Sequence, residues 1–286
     1  MEEYEKYKEA GKIARDALYM GIKNIKEGRS YKEIAEKIEA YILDRASLAF
    51  PVNISVNSTA AHYTPSMHDE NVFKKGDVVK LDVGAHVDGY IGDTAKTVEV
   101  GTKNYSRLIE AAEKALEEAI KIIRDGIKIE EIGKKIEDKI REYGYNPIRN
   151  LHGHSLERYK LHAGISIPNY HSKSKKRLKE GQAVAIEPFV TDGVGIVVDG
   201  GIGNIYRIEK DSPVLKQIKN RFNGFPFAER WLYDIYGEST PLKLSFFLKR
   251  RMVAPYFKLV EMKGGMVAQV EHTLYITEDG CEVLTA

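Results

Sequence analysis

Two stretches far apart in the chain carry the same pattern, and that repetition limits the fold more than any other feature. Lys75–Asp82 reads KGDVVKLD and Glu180–Glu187 reads EGQAVAIE: a glycine-led apolar run closed by a carboxylate, repeated 105 positions later. Gly28, Glu33, Ile34 and Ile38 recur as Gly126, Glu131, Ile132 and Ile136, offset by 98. Ser30 becomes Lys128, so the echo is imperfect, and chance similarity between two helix–helix–strand units is the alternative. A duplicated unit predicts two helix pairs packed on one face of a curved antiparallel sheet, related by a pseudo-twofold axis.

Local signals fit that plan. Tyr7, Ala10, Ala14, Ala17, Leu18, Gly21, Ile22 and Ile25 share one face of a helix over 4–27. Ser30-Tyr31-Lys32-Glu33 has the form of a capping box, opening a second helix striped by Ile34, Ile38 and Ile42. Val78–Val83 reads as a strand, Tyr90–Val98 as its partner and Asp88-Gly89 as the hairpin turn. Two more helices follow, one carrying Ile109, Ala112, Leu116, Ile120 and Ile123, the other Ile132, Ile136 and Ile140. From 201 to 252 the rhythm breaks. Pro213, Pro226, the only tryptophan (Trp231) and the basic run Lys243–Arg251 read as an inserted subdomain. The predicted architecture is α+β, with a main domain over 1–200 and 253–286 interrupted by a helical insertion over 201–252.

Composition removes several classes of function. The balance of 44 basic against 42 acidic residues argues against a chain built to coat nucleic acid, so no specific nucleic-acid partner is expected. The single cysteine, Cys281, excludes an internal disulfide and a cysteine-rich zinc site, and suits a reducing compartment. Met1–Tyr7 is charged and lacks a signal-peptide core, and no apolar run approaches a membrane span. The expected location is the cytoplasm, with no membrane partner.

The carboxylates come next. If Asp88-Gly89 turns the hairpin, Asp82 lies opposite position 95 and Asp93 is its diagonal neighbour on the same face. Two carboxylates converging in a sheet repel unless a cation sits between them. The other reading is a pair of surface aspartates neutralised by Lys80 and Lys96; on these residues alone the two stand level. The repeat adds Glu187, which holds in the second unit the position Asp82 holds in the first, with Val184 and Ile186 on the helix-facing side. In Gly264–Ile276, Val267, Gln269, Glu271 and Thr273 share one face, and Ala268, Val270, Leu274 and Ile276 the other. A buried Glu271 needs a partner; an edge-strand acid facing water is the alternative. His62, His154 and His162 sit in turn-like contexts and complete the set, whereas His86, His152, His171 and His272 read as structural or surface residues. A mostly oxygen donor set with one imidazole suits two divalent ions such as Mn, Fe or Co, and two such ions point to hydrolysis of an amide or ester.

These segments resemble the type II methionine aminopeptidases of the creatinase-like, pita-bread superfamily. The match lies in Ala60–Pro65 (AAHYTP), Lys80–Thr94 (KLDVGAHVDGYIGDT), Asn150–Ser155 (NLHGHS), Leu161–Gly164 (LHAG), Ala185–Pro188 (AIEP) and Ala268–Thr273 (AQVEHT). The resemblance implies the pita-bread fold and five metal ligands, Asp82, Asp93, His154, Glu187 and Glu271, with Asp93 and Glu271 bridging two ions (Co, Mn or Fe). It further implies removal of the N-terminal methionine from nascent chains and peptides by attack of a metal-bridging hydroxide on the first peptide bond. Glu187 would carry a proton, His162 would contact the scissile peptide and His62 would stabilise the oxyanion. Phe50, Leu161 and Tyr256 would line the methionine pocket, with one further lining residue near Gly200–Tyr206 unassigned. The wide interval between Glu187 and Glu271 marks the type II insertion, and the chain opens at the first helix of the main domain, as in the short archaeal form. The implied partners are polypeptides with a free N-terminal methionine, with the ribosome as a further candidate. Two alternatives stay open: a proline-directed peptidase of the same fold, and a non-catalytic module that binds ribosomes or nucleic acid through Lys249, Arg250 and Arg251.

Overall fold

The computed structural model describes residues 2–286. Helix α1 (Glu2–Asn24) and helix α2 (Tyr31–Leu43) form where the stripes fall. Only half of the expected capping box is made. Glu33 N donates to Ser30 Oγ at 3.4 Å, while the Glu33 carboxylate lies toward Arg29 at 3.7 Å. Both helices cover one face of a sheet built from β1 (Asn53–Val56), β3 (Val78–Val87) and β4 (Tyr90–Glu99), with β2 (Thr59–Ala61) leaving toward a neighbouring sheet. The apolar residues of alternate positions, Val79, Leu81, Val83 and Ile54, join Ala14, Ile34 and Ile38 in one core.

The second half repeats this arrangement. Helix α3 (Ser106–Ile120) and helix α4 (Ile129–Glu142) pack over β6 (Ala183–Ile186), β7 (Phe189–Thr191), β10 (Val267–Gln269) and β11 (His272–Ile276), with β5 (His152–Leu156) paired to β6. The buried stripe of α3 runs through Leu108, Ala111, Ala115 and Ala119 rather than Ile109 and Ile120, which are half-buried. Small side chains let that helix lie close to its neighbours, so the apolar moment of the sequence points to the wrong edge of the face.

The two halves meet where β4 runs beside the β10–β11 segment. Glu271 N donates to Ala95 O at 2.9 Å, Thr97 Oγ1 donates to Gln269 O at 2.6 Å, and Asp93 N donates to Thr273 Oγ1 at 2.8 Å. This seam carries acids from both halves, as a twofold-related pair of sheets requires.

Strands β8 (Val197–Ile208) and β9 (Val253–Glu261) form a long antiparallel ribbon. The boundary expected at 201 falls inside β8, so the helical segment, with α5 (Lys216–Phe222) and α6 (Thr240–Lys249), begins after Ile208. Register shifts between Asp199 and Ile205 and three glycines broke the alternation that would have marked the strand. The segment has its own core of Leu215, Ile218, Phe227, Leu232 and Phe247. Among the described residues no helix is long and apolar enough to cross a membrane.

Candidate metal centre and substrate cavity

The hairpin register is the one the Asp88-Gly89 turn predicts: Asp82 faces Ala95 and Asp93 faces Gly84. Glu187 follows directly on β6, and Glu271 sits between β10 and β11. His154 lies in the middle of β5, paired with Ala185 two positions before Glu187. All ten candidate residues line one cavity: the five carboxylate and imidazole groups, together with His62, His162, Phe50, Leu161 and Tyr256.

Neither lysine neutralises the aspartates. Lys80 is fully buried, but its Nζ donates to Asn57 O at 2.6 Å and Val78 O at 3.2 Å. Lys96 Nζ pairs with Glu113 at 2.5 Å. Nor is Glu271 an edge-strand acid, being 2% exposed. Four carboxylates, Asp93 and Glu271 buried and Asp82 and Glu187 partly so, therefore share one cavity with the His154 imidazole. Burial, then the neighbouring acids, hold Asp93, Glu187 and Glu271 well above the usual carboxylate range, and burial pushes Asp82 up to about 7. Burial, followed by nearby His162, lowers His154 to about 3, so its ring is neutral.

That electrostatic conflict fits a cation. Asp82 Oδ1, Asp93 Oδ1 and His154 Nδ1 are buried with no hydrogen-bond partner, an expensive state for polar atoms. His154 Nε2 stands 3.6 Å from Glu187 Oε1 and 3.7 Å from Asp93 Oδ2, too far for hydrogen bonds. One donor atom each from Asp93, His154 and Glu271 falls within 4.8 Å of the others. Neutral imidazole plus hard oxygen is a donor set for divalent ions.

Residues that the sequence reading did not single out support this cluster. Gln269 Nε2 faces Glu271 Oε2 at 3.3 Å and Glu187 Oε2 at 3.5 Å, and Thr273 Oγ1 both accepts from Asp93 N and donates to Asp93 O at 2.8 Å. Their shared face with Glu271 was the available signal. Asn53, Asn150, Ile205 and Pro226 also line the cavity, Ile205 from within the Gly200–Tyr206 stretch. Of the histidines set aside, His152 also borders the cavity, its ring tied to Arg149 O at 2.9 Å and Ser166 Oγ at 2.8 Å. His272 turns to Thr285 at 2.9 Å, and His86 accepts from Gly89 N at 3.1 Å.

The remaining wall is shaped by close backbone approaches. His62 has φ +65°, and burial lowers its ring to about 4. Its ring meets Tyr256 edge-on with centroids 5.2 Å apart, while His162 meets His154 at 4.5 Å. Gly203 braces the His62 carbonyl so tightly that a Cβ there would come within 1.7 Å of it. Phe50 lies across Gly84, where a Cβ would stand 2.2 Å from the ring. Gly84→Ala is therefore expected to push Phe50 into the cavity, costing about 1–3 kcal/mol of overpacking. A calorimetric melt measures that cost, and an unchanged Tm would count against the packing argument.

Comparison with known proteins agrees with this geometry. Residues 5–282 match the model of metallopeptidase family M24. The chain is 45% identical to a methionine aminopeptidase of Methanocaldococcus jannaschii, covering 100% of this chain and 99% of the relative. It is 48% identical to one of Thermococcus onnurineus over the full length of both. A solved methionine aminopeptidase of Thermotoga maritima superposes with a TM-score of 0.75 at 29% identity, covering 99% of this chain and 96% of the other.

Proposed function

The chain belongs to metallopeptidase family M24, and from that premise we propose that it removes the N-terminal methionine from peptides and nascent polypeptides in the cytosol. The observation that carries the reading is one cavity lined by four acids, of which Asp93 and Glu271 are buried, together with four histidines and an aromatic wall. We assign Asp82, Asp93, His154, Glu187 and Glu271 as ligands for two divalent ions drawn from Co, Mn and Fe. Two ions are argued from charge: four carboxylates and a neutral imidazole are balanced by two divalent cations. Once bound, such ions polarise a peptide carbonyl and acidify water.

The chain's own groups supply the rest. Phe50, Leu161, Ile205 and Tyr256 offer an apolar niche for an unbranched thioether side chain. The neutral His62 and His162 rings are suited to donate N–H bonds to a carbonyl oxygen as it gains charge. Glu187 lines the cavity beside His154 and is suited by position to pass a proton to the leaving amine. The ribosome remains a candidate partner through Lys249, Arg250 and Arg251 at the end of α6, where Arg250 and Arg251 are exposed. We place the inserted subdomain at 209–252.

The test is a comparison of Met-Ala-Ser with an Xaa-Pro peptide, with Mn or Co present. Preferential cleavage of Met-Ala-Ser is expected, and preferential Xaa-Pro cleavage overturns the reading. His162→Ala should lower kcat/KM roughly tenfold to a thousandfold, the scale for one lost oxyanion or positioning contact, while calorimetry still finds metal bound. Loss of metal from that variant would instead make His162 a ligand.

A further inference from the structure

Asn53 has no role in the account above, yet it is one of the least satisfied groups in the cavity. It stands opposite Asp82 across the β1–β3 pairing, and directly paired residues project to the same side of a sheet. Alternation sends Ile54 and Val56 into the helix-facing core and leaves Asn53 on the cavity side, where it is 5% exposed. Its Nδ2 donates to Pro51 O at 2.8 Å. That contact fixes the amide, since only the nitrogen can donate to a carbonyl. Oδ1 is therefore turned away from Pro51, and it is buried with no partner. Neighbouring Asp82 Oδ1 is unpartnered as well, and Asp82 as a metal ligand has no proton to offer.

A buried acceptor of this kind calls for a donor brought in from outside. Methionine's side chain has none. A peptide N-terminus brings N–H groups at its α-amine and at its first peptide bond. The peptide bond must lie against His62, His162 and Glu187, whereas Asn53 stands across from Asp82 on the β1–β3 pairing. Phe50, three positions earlier on the same wall, places the side chain next to it. Resting on the methionine aminopeptidase reading, we propose that Asn53 Oδ1 accepts an N–H from the free α-amino group of the substrate and helps the enzyme to select unblocked N-termini.

The experiment uses metal-loaded protein and two ligands, L-methionine and its des-amino analogue 4-(methylthio)butanoic acid, measured by calorimetry. Asn53→Leu keeps the volume and removes the acceptor. Its affinity for L-methionine should fall roughly tenfold to a hundredfold, the range for a lost bond to a strongly polar group. Affinity for the des-amino analogue should stay within about twofold of wild type on the same argument. KM for Met-Ala-Ser should rise with kcat little changed, and metal stoichiometry should be unaltered. Asn53→Ala, which adds no apolar bulk, should behave alike if the leucine variant misfolds. Retained affinity for L-methionine overturns the proposal, as does an equal loss for both ligands, which would make Asn53 a packing residue. If wild-type protein fails to cleave Met-Ala-Ser, the functional reading falls; if it cleaves normally and the variants keep their methionine affinity, only the role of Asn53 falls.

Discussion

Asp93→Asn and Glu271→Gln are each expected to abolish peptide turnover, with kcat/KM falling by roughly three orders of magnitude or more, about 4 kcal/mol of lost transition-state stabilisation. The fold should survive. In metal-free protein these acids crowd one another, and burial, then the neighbouring carboxylates, oppose ionisation of both. A neutral amide of the same shape relieves that repulsion, so the metal-free variants should melt no lower than metal-free wild type. With metal the order reverses. A bound ion stabilises wild type by RT ln(1 + [L]/Kd), about 2.7 kcal/mol at a hundredfold excess over Kd. Calorimetric melts with and without Mn or Co, and after chelation, separate the two effects. A variant that keeps both full activity and the metal-dependent rise in Tm would refute the shared centre.

The convergence of the four carboxylates on one cavity was readable because their placement follows from short-range rules. A two-residue Asp88-Gly89 turn fixes the register of its hairpin, and with it the face on which Asp82 and Asp93 meet. The repeat then carries Glu187 to the equivalent edge of the second sheet. Strict alternation separates Glu271, Gln269 and Thr273 from the core residues Ala268, Val270 and Leu274. Features set by long-range contact were not readable. Nothing local says that Asn53 pairs with Asp82, because a four-residue strand has too little pattern to fix its partner. Lys80 looked like a counter-ion, yet its long stem carries the ammonium to backbone oxygens of Asn57 and Val78 instead. The extent of β8 was hidden by glycines and register shifts, and half of the capping box gave way when Glu33 turned toward Arg29. The convergence of the carboxylates is thus written in periodicity, while the groups that support them are written in tertiary packing.

A second large effect lies outside the metal centre, where the inserted segment is anchored to the first half. Arg230 and Glu39 form an ion pair with side chains 2% and 6% exposed. Arg230 Nη1 also donates to Thr64 Oγ1 and Pro65 O, both at 2.7 Å, and Glu39 accepts from Trp231 Nε1 at 3.0 Å and Val52 N at 3.2 Å. Glu39→Ala leaves the guanidinium buried without a counter-charge, which should cost about 3–5 kcal/mol, a large share of the 5–15 kcal/mol typical of a folded domain. Replacing both residues, as Glu39→Leu with Arg230→Met, removes the uncompensated charge together with the pair and should restore most of that loss. Activity should not return in step. Thr64 and Pro65 follow His62 by two and three positions, and without Arg230 the left-handed His62 turn loses one of its ties. The double variant should therefore be near wild type in urea melts yet roughly tenfold low in kcat/KM, the kind of penalty a small misplacement imposes. A double-mutant cycle measures the coupling. Additive losses in stability would mean that the pair is not coupled, and full activity in the double variant would mean that Arg230 does not position His62.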